Sequence, residues 1–256
     1  MLFFKKFLLT LITPLIIPIV VASEMSKITI VTEDFPPYNF INSTTNKLEG
    51  LGVEIVQALL DELNIKTEIQ VYPWARAYAM ATKDKNILIF SLKRTSDRED
   101  LFKWVGEVAK HQVYFFALKS SLILETNNLD DLKKHKVGVI FEGANAKRLE
   151  SDGFINIEKS KIRGHNWSKL KNKRIDLWFT DFFSVNHILK MAGDSPREVK
   201  IIHLHEKLSK DYLYIAFSKQ TDDMVVNKFK QAYETIKQNG KINKILEKMG
   251  PNQKGS

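Results

Sequence analysis

The stretch NILIFSLKRTSDR, residues 86–98, decides the fold. Its first half, residues 86–90, is a continuous apolar run. A strand with one face in water alternates apolar and polar residues; a run without alternation reads as a strand covered on both faces. Working back from it, Pro73 starts a helix, a position where proline is tolerated because the first helical N–H has no partner to lose. Residues 67–71 alternate as a strand. Val53, Val56, Leu59, Leu60 and Leu63 recur at helical spacing across residues 50–63, with acids on the other side. Residues 27–32, KITIVT, form a β-rich run, and EDFPPYNF, residues 33–40, breaks it with two prolines. The order β-α-β-α-β implies a parallel sheet with helices on its faces.

Working forward, residues 112–118 read as a strand, after which the pattern restarts. Short helical turns and helices are expected at 129–132, 143–149, 166–173 and 181–191, and strands at 137–141, 155–157, 176–179 and 200–203. Residues 212–217, YLYIAF, form a late strand, and residues 222–249 give two helices separated near Gly240. A strand and helices after a second α/β unit suggest that the chain returns to complete the first. The expected organisation is residues 23–117 for the first lobe, 118–208 for the second, and 209–256 for the return segment and C-terminal helices. No repeat of short period and no low-complexity linker is present.

Residues 1–22 precede this pattern and read as a signal peptide. Lys5 and Lys6 form a positive start, an apolar run follows to Val21, and Ala22 supplies a small residue at the cut. The run falls slightly short of the roughly 20 residues a spanning helix needs, and Pro14 and Pro18 interrupt it. Cleavage removes Lys5 and Lys6, taking the formal charge from +9 to +7 and leaving 234 of the 256 residues. Such a chain can bury a core without covalent staples, and the absence of Cys excludes disulfides and a lipid-bearing cysteine. The basic residues are interleaved with acids, so the surplus reads as a solvated face and no nucleic-acid partner is expected. A periplasmic protein, monomeric and without cofactor, is the expectation, and the missing tether hints at a cell with two membranes.

Five pieces of the chain, in order, resemble the extracellular solute-binding proteins of the amino-acid type, the periplasmic receptors of ABC importers. Asp34-Phe35-Pro36-Pro37-Tyr38-Asn39-Phe40 with Gly50 is similar to that family's first ligand loop. Thr95-Ser96-Asp97-Arg98, followed by Phe102 and Trp104, is similar to its threonine-x-x-arginine element. Val137-Gly138-Val139 with Gly143 resembles the start of its second lobe, and Arg174-Ile175-Asp176 with Phe179 and Asp181 its arginine-x-aspartate strand end. Residues 214–219, YIAFSK, resemble its return strand. The resemblance implies an α/β, two-lobed periplasmic-binding-protein fold with two crossover hinge strands. It also implies capture of a zwitterionic or acidic solute, most plausibly an amino acid, in the cleft between lobes, with hinge closure presenting the loaded form to a membrane permease. A sensory receptor of the same fold is the alternative.

The resemblance assigns roles residue by residue. A buried zwitterion needs a fixed cation and a fixed anion, because unpaired buried charge is costly. Arg98 suits the carboxylate, which its planar fork can hold with two parallel bonds; the alternative is a surface pair with Asp97 or Asp100. Asp181 suits the ammonium, and equally suits a helix N-cap. Thr95 and the backbone near Ser91 would add donors, and Phe35 would supply an aromatic platform. Asn145, with Gly143 and Ala144, stands at a helix start whose free N–H groups attract anions, although the family often has hydroxyl residues there. Lys93 replaces the usual small residue and could meet a second acidic group. Trp74 and Arg76 belong to a less characterised branch and could reach the cleft or serve as core and surface.

Other chemistries fit less well. Ser168-Lys169-Leu170-Lys171 matches Ser-x-x-Lys without that chemistry's partner motifs. Glu33 and Asp34 could form a glycosidase-like acid pair, but nothing in the sequence marks a raised carboxyl. His203 and His205 share a strand face that could hold zinc, yet no third ligand is evident. An enzyme is therefore not expected.

Overall fold

The computed structural model describes residues 28–209 and 212–249. The expected signal peptide, residues 1–22, lies outside the described residues. The first lobe opens with β1 (Thr29–Thr32), a small hairpin of β2 (Phe40–Ile41) and β3 (Leu48–Glu49), and α1 (Leu51–Glu62). It continues through β4 (Ile69–Val71), α2 (Trp74–Lys83), β5 (Ile87–Lys93) and β6 (Phe102–Lys110). The second lobe holds β7 (Val113–Leu118), β8 (Val137–Ile140), α3 (Ala144–Ser151), β9 (Ile157–Ser160), α4 (Arg163–Lys171), β10 (Leu177–Asp181), α5 (Phe182–Met191) and β11 (Val199–Leu204). After the short α6 (Glu206–Ser209), β12 (Tyr212–Ser218), α7 (Asp223–Gln238) and α8 (Lys241–Leu246) complete the first lobe.

The first sheet runs β4-β1-β5-β12-β6. Strand β1 pairs parallel with β4 and β5, as the β-α-β alternation implies, whereas the returning β12 runs antiparallel to β5 and β6. Every residue of β5 is buried. Leu88 and Phe90 enter the cluster under α1, α7 and α8, while Ile87 and Ile89 enter the one under α2. Apolar cores on both faces explain the missing alternation, and full burial of each such side chain stabilises by roughly 1.5–3 kcal/mol.

The second sheet runs β11-β7-β10-β8-β9. Phe115 stacks on Phe179 and Phe154 on one face, with ring centroids 4.3 and 5.6 Å apart. Phe116, Trp167 and Trp178 pack on the other. Residues 113–118 bond to β10 and β11, so the chain changes sheets at His111–Gln112, ahead of the expected limit at 117/118. A run of apolar residues announces a strand but not the sheet it joins. The return passes through α6, so two crossings connect the lobes.

Besides the short hairpin strands β2 and β3, which the sequence reading does not foresee, two longer strands depart from it. β6 is not foreseen, because its middle residues are only half-buried and it mixes Lys, Gly and Glu with Trp and Val. β9 falls at Ile157–Ser160 rather than 155–157, since Ile155 is 94% exposed and Glu158 and Lys159 occupy a sheet edge. Gly50 positions the loop before α1. Its φ is 123°, and a Cβ there would meet the Tyr38 carbonyl oxygen at 2.5 Å.

Candidate functional site

A cavity lies between the lobes. Glu33, Phe35, Trp74, Ser91, Lys93 and Arg98 line it from the first, Ile140, Gly143, Asn145, Arg163 and Thr180 from the second, and His111 from the crossing. Bonds across the cleft hold the lobes together. Trp74 Nε1 donates to the Glu142 carbonyl at 2.8 Å, Ser184 Oγ to the Pro36 carbonyl at 2.6 Å, and Arg163 Nη2 to Glu33 Oε1 at 2.9 Å.

Arg98 follows β5 and is 1% exposed. One nitrogen, Nη1, donates to the Lys93 carbonyl at 3.2 Å. The guanidinium carbon lies 5.2 Å from the Trp74 ring centroid and 4.8 Å from that of Tyr78, close enough for cation–π attraction. Nε and Nη2 are buried and have no hydrogen-bond partner. Burial depresses the guanidinium, with Tyr78 and Asp97 opposing, but an arginine stays charged in a protein. A buried cation with two unused donors beside a cavity has the chemistry to receive an anion. Ser91, in the same wall, has φ 57° at a bulge where the β5–β12 register shifts, and its buried Oγ has no partner. A non-glycine residue with positive φ stores strain that tends to concentrate at functional sites. Opposite, α3 starts at Gly143 without a side-chain cap, leaving its first N–H groups open toward the same cavity.

Asp181 is also 1% exposed but does not line the cavity. It caps α5: Oδ1 accepts from the Ser184 N–H at 2.9 Å and from the Tyr38 hydroxyl at 3.3 Å. Oδ2 makes no hydrogen bond and faces His111 Nε2 at 3.5 Å. Burial alone would raise this carboxyl, yet His111 and Ser184 hold it below the ordinary aspartate range. The His111 ring is held against Phe35 and Tyr38, with centroids 5.8 and 6.0 Å away. Burial pushes its pKa down, with Asp181 opposing.

Of the residues expected at the site, Arg98, Phe35, Ser91, Lys93 and Asn145 line the cavity. Lys93 is buried and donates to the Leu208 carbonyl. Thr95 lies in a neighbouring groove, its hydroxyl on Asp97 at 2.6 Å. Trp74 reaches the cavity, whereas the exposed Arg76 stacks on Tyr72. His203 Nδ1 donates to the Thr126 carbonyl at 2.8 Å, and His205 pairs with Asp152 at 2.8 Å. Among the described residues no group of three His, Cys, Asp or Glu is gathered for a metal, and Ser168 is exposed on α4. The reading from sequence missed His111 and Arg163 and weighed Glu33 only as half of an acid pair. Glu33 and Arg163 are 130 positions apart, a juxtaposition that no local pattern announces.

Residues 28–252 match the family described as bacterial extracellular solute-binding proteins, family 3. The chain is 21% identical over 219 residues to the L-cystine-binding protein TcyA of Bacillus subtilis (strain 168), covering 84% of this chain and 77% of that protein. Among solved structures, an ABC uptake transporter substrate-binding protein from Streptococcus pneumoniae with bound histidine superposes with a TM-score of 0.76 at 19% identity, covering 89% of this chain and 94% of that one. A histidine kinase sensor domain with similarity to periplasmic binding proteins gives 0.73 at 16% identity, covering 87% and 95%. These likenesses establish the two-lobed α/β fold. No helix among the described residues is long and apolar enough to cross a membrane.

Proposed function

We propose that this chain, which belongs to the bacterial extracellular solute-binding proteins, family 3, captures a small carboxylate-bearing solute of the amino-acid class between its lobes for ABC-type import. One observation carries the reading: Arg98 is buried at the cavity wall with Nε and Nη2 unpartnered. The solute's carboxylate spans those two donors and faces the uncapped start of α3. Phe35 and Trp74 wall the rest. The lobes close by hinge motion at the two crossings, and the cross-cleft bonds of Trp74, Ser184 and Arg163 hold the closed form that a permease recognises. The mature protein works in the periplasm as a monomer and releases its solute unchanged.

Relatives named for binding cystine and histidine support an amino-acid-like solute. The likeness to a histidine kinase sensor domain favours a second reading, in which the loaded form signals instead of delivering cargo. Adjacent permease and ATPase genes would favour import, and an adjacent sensor kinase would favour signalling. Calorimetry against amino acids and small carboxylic acids tests the binding class: saturable heat is expected from members of the panel, with each ligand recovered intact. Chemical conversion of a bound ligand would overturn the receptor reading.

A further inference from the structure

Resting on the reading that the cleft captures a carboxylate at Arg98, the remaining charges of the cavity narrow the solute further. Arg163, at the start of α4, comes from the opposite lobe. Its Nη2 donates to Glu33 Oε1 at 2.9 Å, its guanidinium carbon lies 3.5 Å from the Phe35 ring centroid, and its buried Nε has no hydrogen-bond partner. Two guanidinium groups, one from each lobe, therefore keep unused donors at one cavity. Glu33 is the only carboxylate among the described residues that lines this cavity, and Arg163 already engages it. Asp181, the other buried carboxylate nearby, is set back from the wall, where Ser184, Tyr38 and His111 surround it. An ammonium entering the cleft would have to share Glu33 with Arg163, which already holds Oε1, or displace the His111 ring from Asp181. A second anion would instead meet a donor that is waiting.

We infer that the solute carries two anionic groups, as a small dicarboxylate does, one held by Arg98 and the other by Arg163, and that no ammonium is needed for its capture. The second group then does the work of closure, because it bridges the solute to the far lobe. Burial pushes the Glu33 carboxyl up, with Arg163 opposing, so Glu33 yields its charge more readily than an ordinary carboxylate when a second anion arrives beside it.

Two sets of matched skeletons separate the possibilities: glutarate, L-glutamate and L-glutamine, and succinate, L-aspartate and L-asparagine, each titrated calorimetrically into the full mature chain. In at least one set the diacid is expected to bind within tenfold of its amino acid and at least 30-fold tighter than the amide. Arg163→Gln should weaken the diacid by 30-fold or more while changing the amide less than threefold. Loss of a purely structural Glu33–Arg163 latch would weaken all three alike. An amide that binds as tightly as its diacid, or a diacid more than tenfold weaker than its amino acid, overturns the inference and leaves the carboxylate cleft standing. No heat from any of the six compounds overturns the inference, whereas the cleft reading falls only if the wider panel of amino acids and carboxylic acids is silent as well.

Discussion

Arg98 and Asp181 lie in the two lobes beside one cleft, equally buried and opposite in charge. Both sit where the family resemblance places ligand contacts. Their surroundings differ in one respect. Arg98 gives one hydrogen bond to the Lys93 carbonyl and keeps two nitrogens idle at the cavity wall. Asp181 spends Oδ1 on a helix cap and a tyrosine, and turns Oδ2 to a histidine, behind the wall. Depth of burial does not separate a ligand-binding charge from a structural one. Unspent hydrogen-bonding capacity facing a cavity does, because a buried donor without a partner is expensive unless something arrives to meet it.

The difference can be broken by substitution, and the largest effect falls at the structural end. Asp181→Ala removes two bonds to a charged acceptor, one of them the cap of α5, and should cost about 3 kcal/mol. A drop of roughly 6–12 °C in unfolding temperature is the corresponding reading for a chain of this size. A loss under about 1 kcal/mol would mean that Asp181 is not the structural member of the pair.

His111 gives the next effect, through pH. Burial holds its folded pKa below the ordinary value of 6.5. As pH falls past 6.5 the unfolded chain takes up a proton at this ring and the folded chain does not, so stability falls. The slope approaches about 1.4 kcal/mol per pH unit for one such group. His187 and His205 are depressed by burial as well, so His111→Gln should remove one proton's share of the acid sensitivity below pH 6.5 in denaturant titrations. An unchanged slope would show that the ring protonates freely in the folded protein.

Ser184→Ala should cost about 1 kcal/mol, because it deletes the cross-cleft bond to the Pro36 carbonyl but leaves the backbone N–H that Asp181 accepts. The smallest effect belongs to Arg98→Met without ligand. A neutral side chain of similar length gives up the Lys93 bond and the stacking on Trp74 and Tyr78, but it also relieves an uncompensated buried cation. Chemical unfolding should place it within about 0.5 kcal/mol of the parent. A large destabilisation would make Arg98 structural, like Asp181.

The same contrast marks what could be read from sequence. The ILIF core of β5 was legible because apolar clusters on both faces erase alternation, and the Asp181 cap because it sits between a buried strand and a helix. β6 was not legible, since a half-buried strand carrying Gly106 and Glu107 has no clean period. Nor was the change of sheets at His111, which depends on which distant strands β7 meets. The arginine of the TSDR element could be singled out by its motif, yet its idle donors could not, because they depend on what the other lobe fails to supply. Arg163 and His111 had no motif at all, and only the packing of the lobes brings them to the cavity.

The central claim is that the idle donors of Arg98 receive the solute's carboxylate. Its most direct test is calorimetric titration of glutarate and L-glutamate into the parent protein and Arg98→Met under identical buffer and salt. At least one of the two compounds should bind the parent, and Arg98→Met, still folded, should bind it 100-fold or more weakly. Equal affinity for that compound in the parent and the variant would contradict the claim.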